Sequence, residues 1–195
     1  MDKPRILVHI CCAPDALYVA RSLGENYEVT GFFYDPNIQP TGEYELRLEE
    51  ARKVAAMLGI GLLEGPYDVD RWLALTLKFK DEPEKGRRCD VCYAMRLQKT
   101  AEAAHDAGIG MFTTVMSLSP WKKAGTMNRI GRLFASRYKV VFLEADFKKK
   151  DGFRKSIVMS REAGLYRQDY CGCLYGKNRK NDGLERARRG WDEKS

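Results

Sequence analysis

The sequence predicts an α/β fold in which a parallel sheet of about five strands is covered by helices on both faces. Short apolar runs rich in β-branched residues alternate with longer stretches of helical spacing along most of the chain. The chain has 195 residues, of which 44% are apolar, and this is enough for one hydrophobic core. No run of about 18 apolar residues occurs, and the opening residues are too short for a secretory signal, so we expect a cytoplasmic protein without a membrane span.

The first strand is predicted at Arg5–Ile10, an apolar run that stops abruptly at the sequence CCAPD. A helix is predicted at 15–23 and a second strand at 27–34, which the turn sequence Asp-Pro-Asn closes. The next helix is predicted at 42–58, because its apolar residues recur at helical spacing before Gly59 ends it. The chain is therefore predicted to begin with a strand at 5–10, a tight turn and a helix at 15–23.

The later elements continue the alternation. They are a strand at 61–64, helices at 69–79 and 91–107, a strand at 111–116, a helix at 124–137, a strand at 139–144 and a helix at 153–163. Strands joined by helices of this length form βαβ units with right-handed crossovers, so a Rossmann-like or HUP-like (PP-loop-type) single domain is expected. We expect residues 1–175 to form the α/β catalytic domain and residues 176–195 a basic charged tail.

The six cysteines occur in three pairs, which are Cys11 with Cys12, Cys89 with Cys92, and Cys171 with Cys173. Cytosolic thiols are kept reduced, so a structural disulfide framework is not expected. Any single pair is readily explained as small buried side chains. The three pairs together favour metal or redox chemistry.

The first pair follows strand one directly, at the edge of an open α/β sheet where ligands bind. The start of the following helix favours thiolates through its backbone N–H groups and dipole. Asp15 stands beside these thiols, and its carboxylate suits either a ligand or a helix N-cap.

The second pair forms a C-x-x-C at the start of a predicted helix, after Arg87 and Arg88. Such a pair can hold a metal or a cluster, or form a disulfide. A zinc site would need further local ligands, and His9 and His105, the two histidines, are far apart in sequence. His9 is expected to pack in the core.

In the third pair Gly172 lets both sulfurs face one point, so the pair can chelate a metal or oxidise to a strained disulfide. Six thiolates exceed the four that a 4Fe-4S cluster needs. The simplest division assigns two pairs to a cluster and leaves one for redox work or a second metal.

Positive charge is concentrated in residues 121–155, which carry 11 Lys and Arg against 3 Asp and Glu. This block favours a polyanionic partner, although a solvated face has the same composition. The candidate phosphate contacts are Lys122, Lys123, Lys148, Lys149 and Lys150.

Ordered motifs resemble the QueH-type epoxyqueuosine reductases along nearly the whole chain, to about Tyr175. They are residues 9–14 (HICCAP), 34–38 (YDPNI), Glu43, Tyr44, Arg47, 88–97, 119–120 (SP), Asn128, 130–131 (IG), 146–150 (DFKKK) and 165–173 (LYRQDYCGC). The resemblance implies reductive removal of the epoxide oxygen of epoxyqueuosine in tRNA, which gives queuosine, by a cobalamin-independent iron-sulfur enzyme. One departure is Asp15, where the family turn often has a further cysteine; a carboxylate there would make a bound metal harder and more Lewis-acidic.

The resemblance also implies roles for the paired cysteines. Cys11, Cys12, Cys89 and Cys92 would hold the 4Fe-4S cluster. Cys171 and Cys173 would be a redox-active disulfide pair or, with Asp15, ligands of an additional mononuclear iron. The electron donor is unknown from the sequence, with a ferredoxin- or flavodoxin-type carrier as the expectation.

Aromatic and acidic residues complete the expected site. Tyr93, Tyr170 or Asp169 would deliver protons as the oxygen leaves as water, although each also suits a packing role. Tyr34 and Trp121 would stack on the modified base of the anticodon loop, with core packing as the alternative for both.

Two other classes of protein have similar features. A PP-loop-type tRNA sulfur-transfer enzyme shares the fold, but the turn CCAPD lacks the Gly- and Ser-rich phosphate loop that it needs. A non-catalytic zinc-binding RNA module would also combine paired cysteines with basic residues.

Overall fold

The computed structural model describes residues 3–176, and in this range five strands form one parallel sheet of order β3-β2-β1-β4-β5. The strands are β1 (Arg5–Ile10), β2 (Glu28–Phe33), β3 (Gly61–Glu64), β4 (Met111–Thr114) and β5 (Val141–Phe142). The predicted parallel α/β fold is therefore confirmed. The predicted tail at 177–195 lies outside the described residues.

Helices cover both faces of the sheet. They are α1 (Ala13–Leu23), α2 (Thr41–Leu58), α3 (Val69–Thr76), α4 (Arg87–Asp106), α5 (Ala124–Tyr138) and α6 (Gly152–Glu162). Helices α2 and α6 pack beside α1, while α3 and α5 pack beside α4. Within the described range, no helix is long and apolar enough to cross a membrane.

Strand β1 lies at the centre of the sheet, and its residues from Ile6 to Ile10 are fully buried. A strand with helices on both sides buries both of its faces, which is why Ile6, Leu7, Val8 and Ile10 are all apolar. It pairs with β2 up to Ile10↔Phe33 and with β4 up to His9↔Thr114. The chain runs outward from β1 to β3 and then returns to β4 on the other side, so β1 and β4 flank the switch point where α/β sheets bind ligands.

Helix α4 begins at Arg87, four residues before the predicted start at 91. Gly86 stands at its N-cap, and the Glu82 carboxylate accepts a hydrogen bond of 3.1 Å from the Arg87 N–H. The Arg88 guanidinium is buried and donates to the carbonyls of Phe79, Lys80 and Glu82. These bonds fix the loop before α4 and extend the helix through the C-x-x-C sequence.

Two predicted strands are shorter in the structure. Strand β4 ends at Thr114, whose hydroxyl accepts from the Met116 N–H at 3.1 Å and starts a 3₁₀ turn over Val115–Leu118. Strand β5 has two residues, since it lies at the sheet edge and pairs with β4 alone. The predicted helix at 69–79 likewise ends at Thr76 and continues as a 3₁₀ turn over Leu77–Phe79.

Candidate metal centre

The six cysteines lie in two groups that adjoin at the carboxyl edge of the sheet. The Cys11 group consists of Cys11, Cys12 and Asp15, whose ligand atoms all lie within 4.8 Å of one another. The four-thiol group lines one small cavity and consists of Cys89, Cys92, Cys171 and Cys173. Cys171 also lines the large cavity that the Cys11 group faces, so the two groups share a boundary.

The Cys11 group is formed by the turn from β1 into α1. Strand β1 ends at Ile10, and Cys12 stands at the N-cap of α1 with an extended backbone. Asp15 lies in the first turn of the helix and is 7% exposed. Because Cys12 occupies the N-cap position, Asp15 does not cap the helix, and its carboxyl is free to act with the two thiols.

The members of the Cys11 group differ in their affinity for protons. The hydrogen bond from Cys12 holds the pKa of Cys11 well below the usual thiol value, and the pKa of Cys12 is raised by the same bond. Burial, together with the Cys11 charge, raises the pKa of Asp15 to about 7. A thiolate beside a carboxyl that ionises near neutrality is a donor set that a cation can bind by displacing protons.

Lys122 brings a positive charge to the Cys11 group. Its ammonium Nζ lies 3.9 Å from Cys11 Sγ, and its side chain lines both cavities. Burial opposes the charge, but the Cys11 thiolate raises the pKa of Lys122. The residue was predicted as a phosphate contact on the surface, and the structure instead brings it to the thiols.

The four-thiol group combines two segments of the chain that are distant in sequence. Cys89 and Cys92 lie three residues apart in the first turns of α4, a spacing that brings them to one helix face. The backbone N–H of Lys85 donates to Cys89 Sγ at 3.3 Å. The Arg96 Nη1 atom lies 4.0 Å from Cys92 Sγ.

Gly172 allows the last two thiols to reach α4. Its φ is +98°, and a Cβ atom there would lie 2.8 Å from Cγ1 of Ile38. The Gln39 N–H donates to the Gly172 carbonyl at 2.8 Å, and the Asn37 amide donates to the Cys171 carbonyl at 3.3 Å. The loop after β2 therefore holds the C-x-C segment in place.

Helix α2 holds the same segment from the other side. The buried Arg47 donates to the Tyr170 carbonyl at 3.1 Å, and its guanidinium lies 5.2 Å from the centre of the Tyr170 ring. Glu43 pairs with Arg47 and accepts a bond from the Tyr166 hydroxyl. Helix α2 thus fixes Tyr166 and Tyr170, which precede Cys171, by polar contacts.

The thiols of the four-thiol group also differ in acidity. Burial raises the pKa of Cys89 to about 11 and also raises that of Cys92. The bond from Cys173 lowers the pKa of Cys171 to about 6, and the pKa of Cys173 is raised in turn. One thiolate beside three protonated thiols is the expected state before a metal displaces the protons.

The structure does not support a disulfide between Cys171 and Cys173, which was one of the two alternatives predicted for this pair. All six cysteines fall within residues 3–176, and all six are free thiols. The sulfur atoms of Cys171 and Cys173 instead share a hydrogen bond. Both residues line the small cavity together with Cys89 and Cys92.

A cavity of about 490 Å³ opens above the Cys11 group. Cys11, Cys12 and Asp15 line it, and the rings of Trp121, Phe153 and Tyr170 contribute aromatic walls. Asp169 also lines this cavity. Its size and its mixture of aromatic and polar walls suit a nucleoside-sized ligand.

The structure separates the two predicted stacking residues. Trp121 is 66% exposed, and the Lys85 ammonium lies 5.5 Å from its ring centre. Tyr34 is buried at 1% exposure, stacks on Phe32 and donates to the Asp68 carboxylate at 2.8 Å. Tyr34 therefore packs in the core and does not line the cavity.

Tyr93 lies beside the thiols but does not line the large cavity. It is buried, it lines the four-thiol cavity, and burial raises its pKa far above the usual tyrosine value. A phenol that holds its proton this strongly is a poor proton donor at neutral pH. Its predicted catalytic role is therefore not favoured by its position.

The remaining predicted lysines line neither cavity. Lys123 is exposed and donates to the Lys85 carbonyl at 2.9 Å, while Lys148 pairs with Asp146 at 3.2 Å. Lys149 and Lys150 are exposed. These side chains are accessible to a charged partner.

Four buried residues of the site were not predicted from the sequence. They are Asp35, Asn37, Trp72 and Arg96, all buried and close to the four-thiol cavity. The turn Asp35-Pro36-Asn37 follows β2, which lies next to β1 in the sheet. The position of this turn at the end of a strand was the signal that could have placed it near Cys11 and Cys12. Arg96 lies one helical turn after Cys92, so its spacing indicated a shared face.

The chain is similar to curated epoxyqueuosine reductases. A family model described as epoxyqueuosine reductase QueH matches residues 6–179. The protein named epoxyqueuosine reductase QueH from Histophilus somni is 36% identical over 173 residues, which is 88% of this chain and 71% of that protein. The protein of the same name from Thermotoga maritima is 35% identical over 173 residues, or 87% of this chain and 88% of that protein.

Two solved structures share the fold at low sequence identity. The U34-tRNA thiolase NcsA from Methanococcus maripaludis, solved with its [4Fe-4S] cluster, aligns with a TM-score of 0.60 and 14% identity. The alignment covers 90% of this chain, which spans 62% of the NcsA chain. A predicted subunit of a tRNA methyltransferase from Methanocaldococcus jannaschii aligns with a TM-score of 0.54 and 9% identity, over 81% of this chain and 76% of that one.

Proposed function

This chain belongs to the family of QueH epoxyqueuosine reductases, and we propose that its two sulfur groups and the cavity beside them are the site of that reduction. The chain is an oxidoreductase of queuosine biosynthesis. The reaction removes the epoxide oxygen of epoxyqueuosine in tRNA, consumes two electrons and two protons, and yields queuosine and water. The observation that carries the proposal is that three thiols and one carboxyl, those of Cys11, Cys12, Cys171 and Asp15, line a nucleoside-sized cavity, while the other three thiols line the small cavity beside it.

We propose that the four-thiol group holds a 4Fe-4S cluster. Such clusters take four cysteine ligands, and Cys89, Cys92, Cys171 and Cys173 line one cavity. The sequence-based hypothesis used Cys11 and Cys12 in place of Cys171 and Cys173. The new division is supported by the cavity that the third pair shares with the two cysteines of α4. When bound, the cluster would supply single electrons from a ferredoxin- or flavodoxin-type donor.

The Cys11 group suits an additional iron. Its atoms lie within 4.8 Å of one another, which fits ligands of one ion, and its carboxylate makes the donor set harder than four thiolates. An iron held there would act as a Lewis acid on the epoxide oxygen. This proposal gives Asp15 the role of a ligand, in agreement with its burial and with its position off the helix cap.

The chain's own residues would bind the substrate and supply protons. Trp121 is exposed at the cavity and would stack on the modified base. The Lys122 Nζ lies beside Cys11 and lines the cavity, so it would donate a hydrogen bond or a proton to the leaving oxygen. Asp169 and Tyr170 also line the cavity and would orient the substrate.

The contacts with the tRNA phosphates would come from four further lysines, which are Lys123, Lys148, Lys149 and Lys150. A tRNA substrate agrees with the expected cytoplasmic location.

The decisive experiment incubates anaerobically reconstituted, reduced protein with tRNA that contains epoxyqueuosine. Mass spectrometry of the nucleosides should show the loss of one oxygen atom, and metal analysis should find iron with acid-labile sulfide. Unchanged epoxyqueuosine in the presence of a reduced cluster would contradict the proposed function. Stoichiometric zinc without sulfide would instead support a zinc-binding RNA module.

The ligand division has its own test. Substitution of Cys173 by Ala should remove the cluster absorbance, whereas substitution of Cys12 by Ala should leave it in place and abolish turnover. If the Cys12 variant loses the cluster and the Cys173 variant keeps it, the sequence-based ligand set is correct. Arg5→Gln, an exposed change at the opposite end of β1, is the matched control and should change neither readout.

A further inference from the structure

Arg96 lies between the two sulfur groups and has no part in the proposed chemistry. Its side chain projects from α4 one turn after Cys92 and is 2% exposed. Its Nη1 atom is 4.0 Å from Cys92 Sγ, and its charge also acts on the Cys11 thiol. One buried guanidinium thus interacts with a member of each group.

Asp35 and His9 hold this guanidinium in place. The Arg96 Nη2 atom forms an ion pair with the Asp35 carboxylate, and Nε lies 3.3 Å from His9 Nε2. The other His9 nitrogen lies 2.9 Å from the Thr114 hydroxyl. The three nitrogens of Arg96 therefore contact His9 on β1, Asp35 in the loop after β2 and Cys92 on α4. His9 and Asp35 are fully buried.

A buried ion pair of this kind contributes little net stability, because desolvation of both charges offsets their attraction. Its effect on neighbouring charges is large, because few water molecules are near to screen it. A positive charge and N–H donors beside the thiolate ligands of an iron-sulfur cluster favour the reduced form, since reduction adds negative charge.

We propose that Arg96 is a positioning residue that raises the reduction potential of the cluster in the four-thiol group, and that Asp35 offsets part of this effect. The inference rests on the proposed function, because it requires a cluster at these four thiols. The ion pair would thereby match the potential of the centre to its electron donor. The two residues act in opposite directions, although they form one ion pair.

The test is the midpoint potential of the reconstituted cluster, followed by visible absorption in an anaerobic redox titration. Arg96→Gln should lower the potential, with about a tenfold smaller ratio of reduced to oxidised cluster at a fixed ambient potential, or about 59 mV for a one-electron couple. Asp35→Asn should raise it, because the carboxylate no longer offsets the guanidinium. Arg96→Lys keeps the charge and should stay close to the unsubstituted chain.

The opposite signs separate this proposal from a purely structural role. Loss of packing would shift both variants in the same direction or in neither, and either result would overturn the inference. Circular dichroism and thermal unfolding show whether each variant is folded, and if Arg96→Gln does not fold, the direction of the Asp35→Asn shift decides. An unsubstituted chain without a cluster would overturn the proposed function and this inference together, whereas a cluster with the same potential in all folded variants would overturn the inference alone.

Discussion

The backbone N–H of Gln39 donates a hydrogen bond of 2.8 Å to the carbonyl oxygen of Gly172. This bond joins the loop after β2 to the segment that carries the last pair of cysteines. It brings residues more than 130 positions apart into one site, at a place where the backbone has a positive φ. The four-thiol group therefore depends on the conformation of a single glycine.

Replacement of Gly172 by Ala should destabilise the fold and reduce iron binding. The new Cβ would lie 2.8 Å from Ile38 in a backbone conformation unfavourable for L-residues, with a cost of about 1–3 kcal/mol. Thermal unfolding and iron content measure the two effects. Gly164→Ala is the matched control, since Gly164 also has a positive φ but has open space at its Cβ position. Equal iron content in both variants would contradict the proposed role of Gly172.

Replacement of Asp15 by Asn should abolish turnover and leave the cluster absorbance unchanged. The amide keeps the shape of the side chain but lacks the charge that the Cys11 group would use to hold an additional iron. The iron content should fall by about one atom per chain, while the content of acid-labile sulfide stays constant. Loss of sulfide together with iron would show that Asp15 acts on the cluster instead.

Replacement of Trp121 by Ala should weaken tRNA binding without affecting stability. The ring is 66% exposed, so the change in unfolding free energy should stay within about 0.5 kcal/mol. Loss of a base-stacking surface costs about 1–3 kcal/mol of binding free energy, which corresponds to a several-fold or larger rise in Kd. Leu133 is exposed to a similar extent, at 65%, and Leu133→Ala is the control. A filter-binding titration that shows the same Kd for both variants would exclude Trp121 as the stacking residue.

Replacement of Glu50 by Gln should make the fold less sensitive to acid. Burial opposes ionisation of Glu50, but bonds from the Lys53 ammonium and the Tyr166 N–H, at 2.6 and 2.8 Å, lower its pKa in the folded chain. Its stabilising effect is therefore present above the unfolded-state pKa of about 4.3 and is lost as the pH falls through the lower folded value. Urea unfolding should show Glu50→Gln less stable by about 1 kcal/mol at pH 7, with the difference shrinking below pH 4. A difference that is constant with pH would indicate a loss of packing alone.

The number of strands and their parallel arrangement could be predicted, because each strand is a short apolar run between turn residues and is joined to the next by a helical segment. Some helix and strand ends lie at other residues than predicted, because local contacts that the apolar pattern does not reflect determine them. Helix α4 starts early because Gly86 caps it and Arg88 fixes the preceding loop, and neither contact has a periodic signature. Strand β5 is short because it lies at the sheet edge.

The site was predicted less completely than the fold. The three cysteine pairs and Asp15 were identified from their types and spacing, and their placement at the carboxyl edge follows from the parallel topology. Lys122 was predicted as a surface charge, since a lysine in a basic block is usually solvated. Its contact with Cys11 joins residues 111 positions apart, which spacing alone does not reveal.

The sequence by itself determined the parallel α/β sheet, the first thiols at the end of β1 and the membership of the three pairs, because these depend on local patterns and chain order. Only the tertiary structure decided which pairs share a cavity, that Tyr34 is buried while Trp121 is exposed, and that the Arg96–Asp35 ion pair lies beside the thiols. Each of these depends on packing between segments far apart in the chain. Cys92 and Cys173 line one cavity because the loop after β2 holds the segment of Cys173 beside the start of α4.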